Sequence, residues 1–332
     1  MPNTVKILKK PLLITKEAAR FAIIRANYYA GNYQNAVWLI GDGRSGTTFV
    51  SSLLNWNHKY REMFEPFHPI YVKQMKSLPF HKYIRPNDAN NAFTRIAADV
   101  FTGKLTSPFI DIANRRFVYK SLLIKDIFAN LLANWAYHTF SDLEIKVILL
   151  LRNPFAVALS KYKKKHWHWM TDPKEFLKQQ QLMDDHLHPF KDLIENISDD
   201  YIERQILIWS IINYVPLRQF NNNQLHVLFY EDIVSQPREE LTSLFNYIDP
   251  TLDSLAIDCA LQKLHVPSRV SGSESNIKKG QSPIDSWQKE ITPKQLKNGR
   301  EILDQFGFGQ LYKEDGLPER SALNSMPNIL NK

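Results

Sequence analysis

Residues 36–54 of the chain read AVWLIGDGRSGTTFVSSLL. The opening run, Ala36–Ile40, is short, apolar and partly β-branched, and a glycine follows it, which predicts a buried strand that enters a tight loop. From Thr47 onward the apolar residues recur at helical spacing. The order of strand, glycine-rich loop and helix is typical of a site that holds a phosphate-like group on backbone amides and a helix N-terminus.

A second unit of strand and helix lies near the middle of the chain. Residues 145–151 (IKVILLL) predict a core strand, and Pro154 suits the first position of a helix over residues 155–162. Weaker patterns predict strands at residues 116–119 and 224–230 and helices at residues 127–136 and 201–220. This alternation predicts an α/β, P-loop-like, three-layer, doubly wound fold around a central, mostly parallel sheet, with ligands bound beyond the carboxyl ends of the strands.

The remaining segments suggest how the chain is organised. Residues 163–199 are polar and indicate a helical insertion or lid, and residues 267–287 form a loop rich in Ser, Gly and Lys. Thr292-Pro293 cap a final helix that ends near Gly307. We expect a helical N-terminal extension over residues 1–35, one large domain over residues 36–312 and a tail over residues 313–332.

Composition and charge narrow the class of protein. The 332 residues are 44% hydrophobic and 23% charged, which excludes a largely disordered or collagen-like chain. Lys and Arg number 42 against 34 Asp and Glu, and the resulting formal net charge of +8 predicts anionic partners. The single Cys259 cannot form an intramolecular disulfide, so we expect a cytoplasmic location.

The N-terminal segment is basic and partly amphipathic. Its apolar stretches are too short and interrupted for a membrane span, so no transmembrane segment is expected. We interpret residues 17–30 as a helix that packs on its own domain, and peripheral contact with a membrane or partner surface is the alternative.

The loop Gly41–Thr48 has the glycines of a P-loop, but Thr47 stands where nucleoside triphosphatases carry the lysine that reaches the β- and γ-phosphates. Arg44 supplies a planar fork of donors within the loop. The loop therefore fits one dianionic group better than a triphosphate. Arg152, directly after the second strand, and Ser160, two helical turns further on, can converge on a second anion.

These two motifs together resemble those of the sulfotransferases. The run Arg44, Ser45, Gly46, Thr47 and Thr48 resembles the 5′-phosphosulfate-binding loop of that family. The residues Arg152-Asn153-Pro154 with Ser160 resemble its 3′-phosphate motif. The resemblance implies that the chain is an enzyme with 3′-phosphoadenosine 5′-phosphosulfate (PAPS) as sulfuryl donor, 3′-phosphoadenosine 5′-phosphate (PAP) as product and no required metal.

Two further segments extend the resemblance from about residue 36 to residue 312. Tyr230-Glu231-Asp232 resembles a run that follows a late strand in the family. Lys278, Lys279 and Gly280, with Trp287, resemble the C-terminal loop that closes over the nucleotide. Membership would also account for the missing loop lysine, because a sulfuryl group carries less negative charge than a phosphoryl group and needs less neutralisation.

The resemblance also suggests groups for catalysis. Lys125, in Ile124-Lys125-Asp126, resembles a lysine that contacts the bridging oxygen of the donor, although Ile127 replaces the proline of that motif, and Lys120 is the rival. Glu65, in Phe64-Glu65-Pro66, resembles the glutamate base of carbohydrate, heparan and tyrosyl sulfotransferases, and His68 is the second candidate. Residues 119–123 lack the histidine of the steroid and phenol enzymes.

The sequence gives fewer signals for the acceptor than for the donor. Residues 161–169 mix cations with aromatic rings, which suits a carbohydrate or glycolipid acceptor, although a solvated helix end or a surface for single-stranded nucleic acid has the same pattern. We expect a hydroxylated acceptor and no stable nucleic-acid partner. His166, His168, His186 and His188 are not expected to bind metal, because no cysteine or compact carboxylate pattern accompanies them.

Two other functions remain as alternatives. A P-loop nucleotide kinase or NTPase is disfavoured by the missing lysine. A nucleic-acid-binding protein with a degenerate nucleotide site would use the basic surface instead.

Overall fold

The computed structural model describes residues 4–88, 91–164, 167–221, 223–264, 266, 282 and 284–324. The side chains of residues 4–16, 91 and 92 are not part of this description.

One parallel sheet organises the described residues. Its strands are β1 (Asn35–Gly41), β2 (Tyr60–Phe64), β3 (Ser121–Asp126), β4 (Glu144–Leu151) and β5 (Leu225–Phe229). They lie in the order β2-β3-β1-β4-β5, and every neighbouring pair is parallel. In the central strand β1, Ile40 pairs with Asp126 on one side and with Leu149 on the other. The carboxyl ends of the strands therefore share one edge of the sheet.

Helices cover both faces of this sheet. The α-helices of the described residues are α1 (Thr4–Ala30), α2 (Thr47–Leu54), α3 (Asn91–Phe101), α4 (Ala133–Thr139), α5 (Pro154–Lys163), α6 (Gln180–Leu182), α7 (Lys191–Glu195), α8 (Tyr201–Gln219), α9 (Tyr230–Ser235), α10 (Pro237–Ile248), α11 (Ser254–Leu261), α12 (Pro293–Gln305) and α13 (Ser321–Asn324). Short 3₁₀ or π turns lie at Lys73–Met75, Asn130–Leu132, Pro173–Lys178, Met183–Leu187, His188–Phe190 and Ser286–Lys289.

Two apolar clusters fill the space between the layers. On one face, Trp38 and Ile40 of β1 pack in the larger cluster with residues of α4, α5, α8 and α12. On the other face, Val37 and Leu39 pack in the smaller cluster with α2, α10 and α11. Because both faces of β1 and β4 are buried, their sequences are almost continuously apolar, which made these strands easy to recognise.

The structure confirms the predicted α/β fold and several of its elements. The predictions for β1, β4 and β5 and for α5, α8 and α12 agree with the observed bounds to within two residues. The last of these helices begins with a capping box, in which Thr292 and Gln295 each accept a backbone N–H of the other.

The strand predicted at residues 116–119 is wrong, because β3 begins at Ser121. The buried Tyr119 turns this segment by accepting hydrogen bonds at its hydroxyl from the backbone N–H groups of Arg115 and Arg116, both at 2.8 Å. Phe117 and Val118 are left exposed. The segment is therefore an irregular connection that leads to the strand.

The helix predicted at residues 127–136 begins later than expected. Asp126 accepts the backbone N–H of Phe128 at 2.7 Å and so forms a turn after β3. A 3₁₀ turn over Asn130–Leu132 follows, and α4 starts only at Ala133.

Strand β2 was not predicted, because its sequence, YREMF, contains two charged residues. Both Arg61 and Glu62 are buried. The Arg61 guanidinium donates from Nε to Asp111 Oδ1 at 2.9 Å and from Nη2 to the carbonyl of Leu105 at 2.9 Å, and it also contacts the carbonyl of Gly103. This buried ion pair attaches the connection before β3 to the edge of the sheet.

The segment 17–30 of helix α1 packs on the domain at two points. Asn27 is buried and donates from Nδ2 to the carbonyl of Arg116 at 3.3 Å, and Arg20 donates to the carbonyl of Pro108. This segment therefore packs on its own domain, although most of its side chains are exposed or half-buried. Among the helices of the described residues, none is long and apolar enough to cross a bilayer.

We predict that Arg61→Met lowers the free energy of unfolding by about 3–5 kcal/mol, because it leaves the buried Asp111 carboxylate without its cation. Urea denaturation measures this loss. The double variant Arg61→Met/Asp111→Asn should recover part of the stability, since the unpaired charge is gone. A single variant as stable as the wild type would contradict the importance of this ion pair.

Candidate active site

The loop Gly41–Thr48 connects β1 to α2 at the carboxyl edge of the sheet. Gly46 has φ 100°, and a Cβ at this position would lie 2.6 Å from Cδ2 of Tyr230, so only glycine fits. The Ser45 hydroxyl donates to the carbonyl of Asp42 at 2.6 Å and stabilises the turn. The backbone N–H groups of the first turn of α2 therefore follow directly on a loop of fixed conformation, and this arrangement binds anions.

The second predicted anion motif lies against this loop. Arg152 follows β4, and Asn153 caps α5 by accepting the backbone N–H of Phe155 at 3.1 Å. Arg152 Nη1 donates to the carbonyl of Arg44 at 3.0 Å, and Arg44 Nε donates to Ser160 Oγ at 3.1 Å. The structure therefore brings Arg44, Arg152 and Ser160 together, as a convergent site requires.

A buried ion pair fixes the loop to the same helix. Lys161 Nζ donates to Asp42 Oδ2 at 2.7 Å, and each side chain is only 2% exposed. Lys161 also donates to Gln205 Oε1 at 3.0 Å, and Gln205 in turn donates to the carbonyl of Met170 at 3.1 Å. Burial raises the pKa of Asp42 and lowers the pKa of Lys161, while the charge of each partner opposes that shift.

This role of Lys161 is not visible in the sequence, because Lys161 opens the basic and aromatic run 161–169. Lys161 is buried, whereas Tyr162 and Lys163 are exposed. The aromatic part of the run lies on the loop: a Cβ at Gly43 would be 2.0 Å from Cη2 of Trp167, so glycine is required there for close packing. The ring of Trp169 is centred 4.7 Å from that of Trp167 and extends the aromatic surface away from the loop.

Two charged residues meet at the ends of β2 and β3. Lys125 pairs in register with Phe64, and Glu65 follows directly, so Lys125 Nζ and Glu65 Oε1 are 2.5 Å apart. Both side chains are buried, at 3% and 7% exposure. Glu65 has φ 47°, a left-handed conformation that is uncommon for a residue with a side chain and is typical of functional sites. Lys120, in contrast, precedes β3 and is exposed.

Asp126 stabilises the turn at Glu65 through hydrogen bonds to the backbone. Its Oδ2 accepts the backbone N–H of Phe67 at 2.8 Å, and its Oδ1 accepts that of Phe128. Burial raises the pKa of Asp126 to about 7, although both hydrogen bonds oppose that shift. The carboxyl group thus joins the turn after β2 to the turn after β3.

His68 lies in an aromatic box next to this pair. Four aromatic rings pack around the ring of His68, at centroid distances of 4.5 Å for Tyr71, 4.7 Å for Phe128, 5.0 Å for Trp169 and 5.6 Å for Phe109. Its Nδ1 accepts the backbone N–H of Ile70 at 3.1 Å, so the neutral ring carries its proton on Nε2. Burial, with the charge of Lys125, lowers the pKa of His68 to about 4. At neutral pH His68 is uncharged and has no free lone pair.

The other predicted segments lie around this site. Glu231, in the first turn of α9, accepts the backbone N–H of Asn153 at 2.9 Å, and burial raises the pKa of Glu231 to about 7. Trp287 is buried and stacks on Phe155, with ring centroids 5.2 Å apart. Most of the loop 267–287 lies outside the described residues, and with it the predicted Lys278, Lys279 and Gly280. No group of three or more potential metal ligands occurs in the part of the chain that the structure describes.

This chain is similar to several known proteins. The family model described as "Sulfotransferase domain" matches residues 34–314. No curated protein matches the chain. The chain is similar to the sulfotransferase domain from the curacin biosynthetic pathway, with 16% identity over 82% of this chain and 97% of that one and a TM-score of 0.43.

Two other solved structures are similar to a comparable extent. The sulfotransferase domain of the Synechococcus PCC 7002 olefin synthase shares 16% identity over 82% of this chain and 95% of that one, with a TM-score of 0.39. Mouse sulfotransferase SULT7A1, complexed with PAP, shares 11% identity over 85% of this chain and 88% of that one, with a TM-score of 0.44.

We predict that Lys161→Met weakens the binding of PAP by about tenfold or more, because the loop loses the ion pair that holds it against α5 and the two anion sites lose their spacing. The affinity for 5′-AMP, which needs one anion site, should fall less. Calorimetric titration of both nucleotides measures this difference.

Lys163→Met is the matched control, because Lys163 lies on the same helix but forms its ion pair with Glu290 at the surface. It should bind both nucleotides as the wild type does. If Lys161→Met does not fold, Asp42→Asn/Lys161→Met removes the unpaired charge and allows the same titration. Unchanged preference for PAP over 5′-AMP in the Lys161 variants would contradict this role.

Proposed function

Because this chain belongs to the sulfotransferase family, whose model spans residues 34–314, we propose that it transfers a sulfuryl group from PAPS to a hydroxyl group of a carbohydrate, a glycolipid or another hydroxylated acceptor. The observation that carries this proposal is the position of the Glu65–Lys125 pair beside the donor loop. Lys125 pairs with Leu39 of β1, two residues before Gly41, so the pair and the loop share one edge of the sheet.

The donor site in this proposal is the junction of the loop and α5. Arg44 and the amides of Ser45, Gly46, Thr47 and Thr48 hold the 5′-phosphosulfate. Arg152 and Ser160 hold the 3′-phosphate. Two guanidinium groups, a hydroxyl and a helix N-terminus suit two separate anions. The Arg44–Ser160 hydrogen bond is then exchanged for contacts to the donor, while the Asp42–Lys161 ion pair touches no donor group and stays in place.

Sulfuryl transfer in this site forms one bond, breaks one bond and moves one proton. The acceptor oxygen attacks sulfur as the bond from sulfur to the 5′-phosphate oxygen breaks, and PAP leaves. The acceptor proton passes to the Glu65 carboxylate. Lys125 stabilises the charge that develops on the leaving phosphate oxygen. Both groups are buried, which strengthens their interactions with charge in the transition state.

Glu65, not His68, is the base in this proposal. The Nδ1 lone pair of His68 already accepts a backbone N–H, and its Nε2 carries the proton of the neutral ring. A group in this state can donate a hydrogen bond but cannot remove a proton. Glu65, in contrast, has a carboxylate directly after β2 that accepts a hydrogen bond from Lys125. When the donor binds Lys125, Lys125 can release this carboxylate, which then accepts the proton.

The acceptor class rests on the surroundings of this pair. Trp169 and Tyr71 both pack on His68, with their own ring centroids 6.2 Å apart, and Trp167 continues this aromatic surface onto Gly43 of the loop. Aromatic faces bind the apolar faces of sugar rings as well as lipid chains. A carbohydrate or glycolipid acceptor therefore remains our proposal for the hydroxyl donor.

We predict that Glu65→Gln retains PAP binding and lowers sulfuryl transfer by about 10²-fold or more, because the amide cannot accept the proton. Transfer of label from sulfur-labelled PAPS to a panel of sugars, glycolipids and other alcohols measures this loss. His68→Gln tests the rival base: the pH profile of transfer above pH 5 should not change, since the pKa of His68 is about 4. Equal losses in the two variants would contradict the assignment of Glu65 as base.

We also predict that Arg44→Ala and Arg152→Ala each weaken PAP binding by about tenfold to 10²-fold, since each removes a charge-assisted hydrogen bond to an anion. Calorimetry with 3′-AMP and 5′-AMP separates the two sites: Arg152→Ala should affect mainly the 3′-phosphate, and Arg44→Ala mainly the 5′-phosphate. Normal PAP affinity in both variants would refute the two-anion site.

A further inference from the structure

Large exposed apolar side chains are concentrated on one part of the molecule. The described residues include eleven of them, and eight lie on three segments. Phe21, Tyr28 and Tyr29 are on α1. Ile70 and Tyr71 follow the Glu65 turn, and Ile112, Phe117 and Val118 precede β3. We call these eight residues the apolar face. Tyr29 and Val118 are the most exposed of the eight, at 69% and 68%.

Direct contacts join these three segments. Asn27 of α1 donates to the carbonyl of Arg116, and Arg20 of α1 donates to the carbonyl of Pro108. Phe109, next to Pro108, has its ring centred 5.0 Å from that of Tyr71. The three segments that carry the apolar face are therefore in direct contact although they are distant in the sequence, whereas isolated exposed apolar residues are ordinary on any protein.

The same segments carry a strong excess of positive charge. In residues 17–30, 65–72 and 108–120, the exposed basic side chains are Arg20, Arg25, Arg115, Arg116 and Lys120, and the exposed acidic one is Glu17. The two other carboxylates of these segments, Glu65 and Asp111, are buried and paired with Lys125 and Arg61. Upstream on α1 the sequence adds Lys6, Lys9, Lys10 and Lys16, and no acidic residue precedes Glu17.

From this combination we propose that the apolar face docks on the surface of an anionic lipid bilayer. Aromatic and aliphatic side chains flanked by Arg and Lys are the chemistry that inserts at the boundary between headgroups and acyl chains. Each nearby basic residue adds attraction to anionic headgroups. A second copy of this chain is a poor partner, because a two-fold contact would bring the same positive charges together.

Docking in this way brings Tyr71, which packs beside the candidate active site, to the membrane surface. Tyr71 belongs both to the apolar face and to the aromatic box around His68, and His68 is three residues after Glu65. An acceptor anchored in the bilayer could then present its hydroxyl to the site without leaving the lipid. Membrane docking itself involves neither donor nor transfer, so it does not depend on the proposed function.

Sedimentation of the full chain with lipid vesicles tests this proposal. We expect binding to vesicles that contain phosphatidylglycerol to be at least about tenfold stronger than binding to phosphatidylcholine vesicles, and to weaken as salt screens the charges. Phe117→Ser/Val118→Ser should reduce binding by about tenfold or more, since it removes two exposed apolar groups.

Leu255→Ser is the matched control, because Leu255 is 65% exposed but lies on α11, outside the apolar face. It should bind vesicles as the wild type does. Thermal unfolding and PAP titration of all variants verify that fold and donor site are intact. Absent vesicle binding, equal binding to both lipids, or equal effects of the two variants would overturn the proposal. Self-association that Phe117→Ser/Val118→Ser abolishes, without vesicle binding, would show that a second copy covers the face.

Discussion

The candidate site depends on the parallel pairing of β1 with β3 and β4. Because β1 is hydrogen-bonded in parallel to both neighbours, the residues that follow these strands must emerge at the same edge of the sheet. The donor loop follows β1, Lys125 lies in β3 and Arg152 follows β4, so these groups are far apart in the sequence and the pairing of the three strands brings them to one edge. The apolar faces that hold this sheet between two helical layers are thus the first requirement for function.

A second constraint acts on the loop itself. Three residues hold it: Arg152, directly after β4, donates to the Arg44 carbonyl, and on α5 Ser160 accepts from the Arg44 side chain and Lys161 donates to Asp42. The first two residues belong to the proposed anion sites, whereas the third is buried away from them. Breaking a buried ion pair leaves an uncompensated charge in the interior, which is strongly unfavourable. The loop is therefore organised before any donor arrives, and less binding energy is lost in ordering it.

The sequence predicted what depends on local pattern. The apolar runs of β1 and β4, the glycines of the loop and the start of α5 at Pro154 are visible in the order of residues. Features that depend on long-range burial were missed or misplaced: β2 contains the buried Arg61 and Glu62, and Lys161 resembles its solvated neighbours. Glu65 and Lys125 were chosen separately as candidates, but their contact follows from the pairing of β2 with β3, which no local pattern indicates. The strand predicted at residues 116–119 does not form because the Tyr119 hydroxyl accepts the backbone N–H groups of Arg115 and Arg116.

We infer a site that binds two separate anions and needs no metal, and calorimetric titration with PAP in EDTA, beside ATP with Mg²⁺, examines this site. We expect tight binding of PAP without metal and weak or absent binding of ATP, because the loop lacks the lysine that reaches the β- and γ-phosphates. Tight binding of Mg²⁺·ATP, with no binding of PAP, would refute the two-anion site and indicate a nucleotide kinase or NTPase instead.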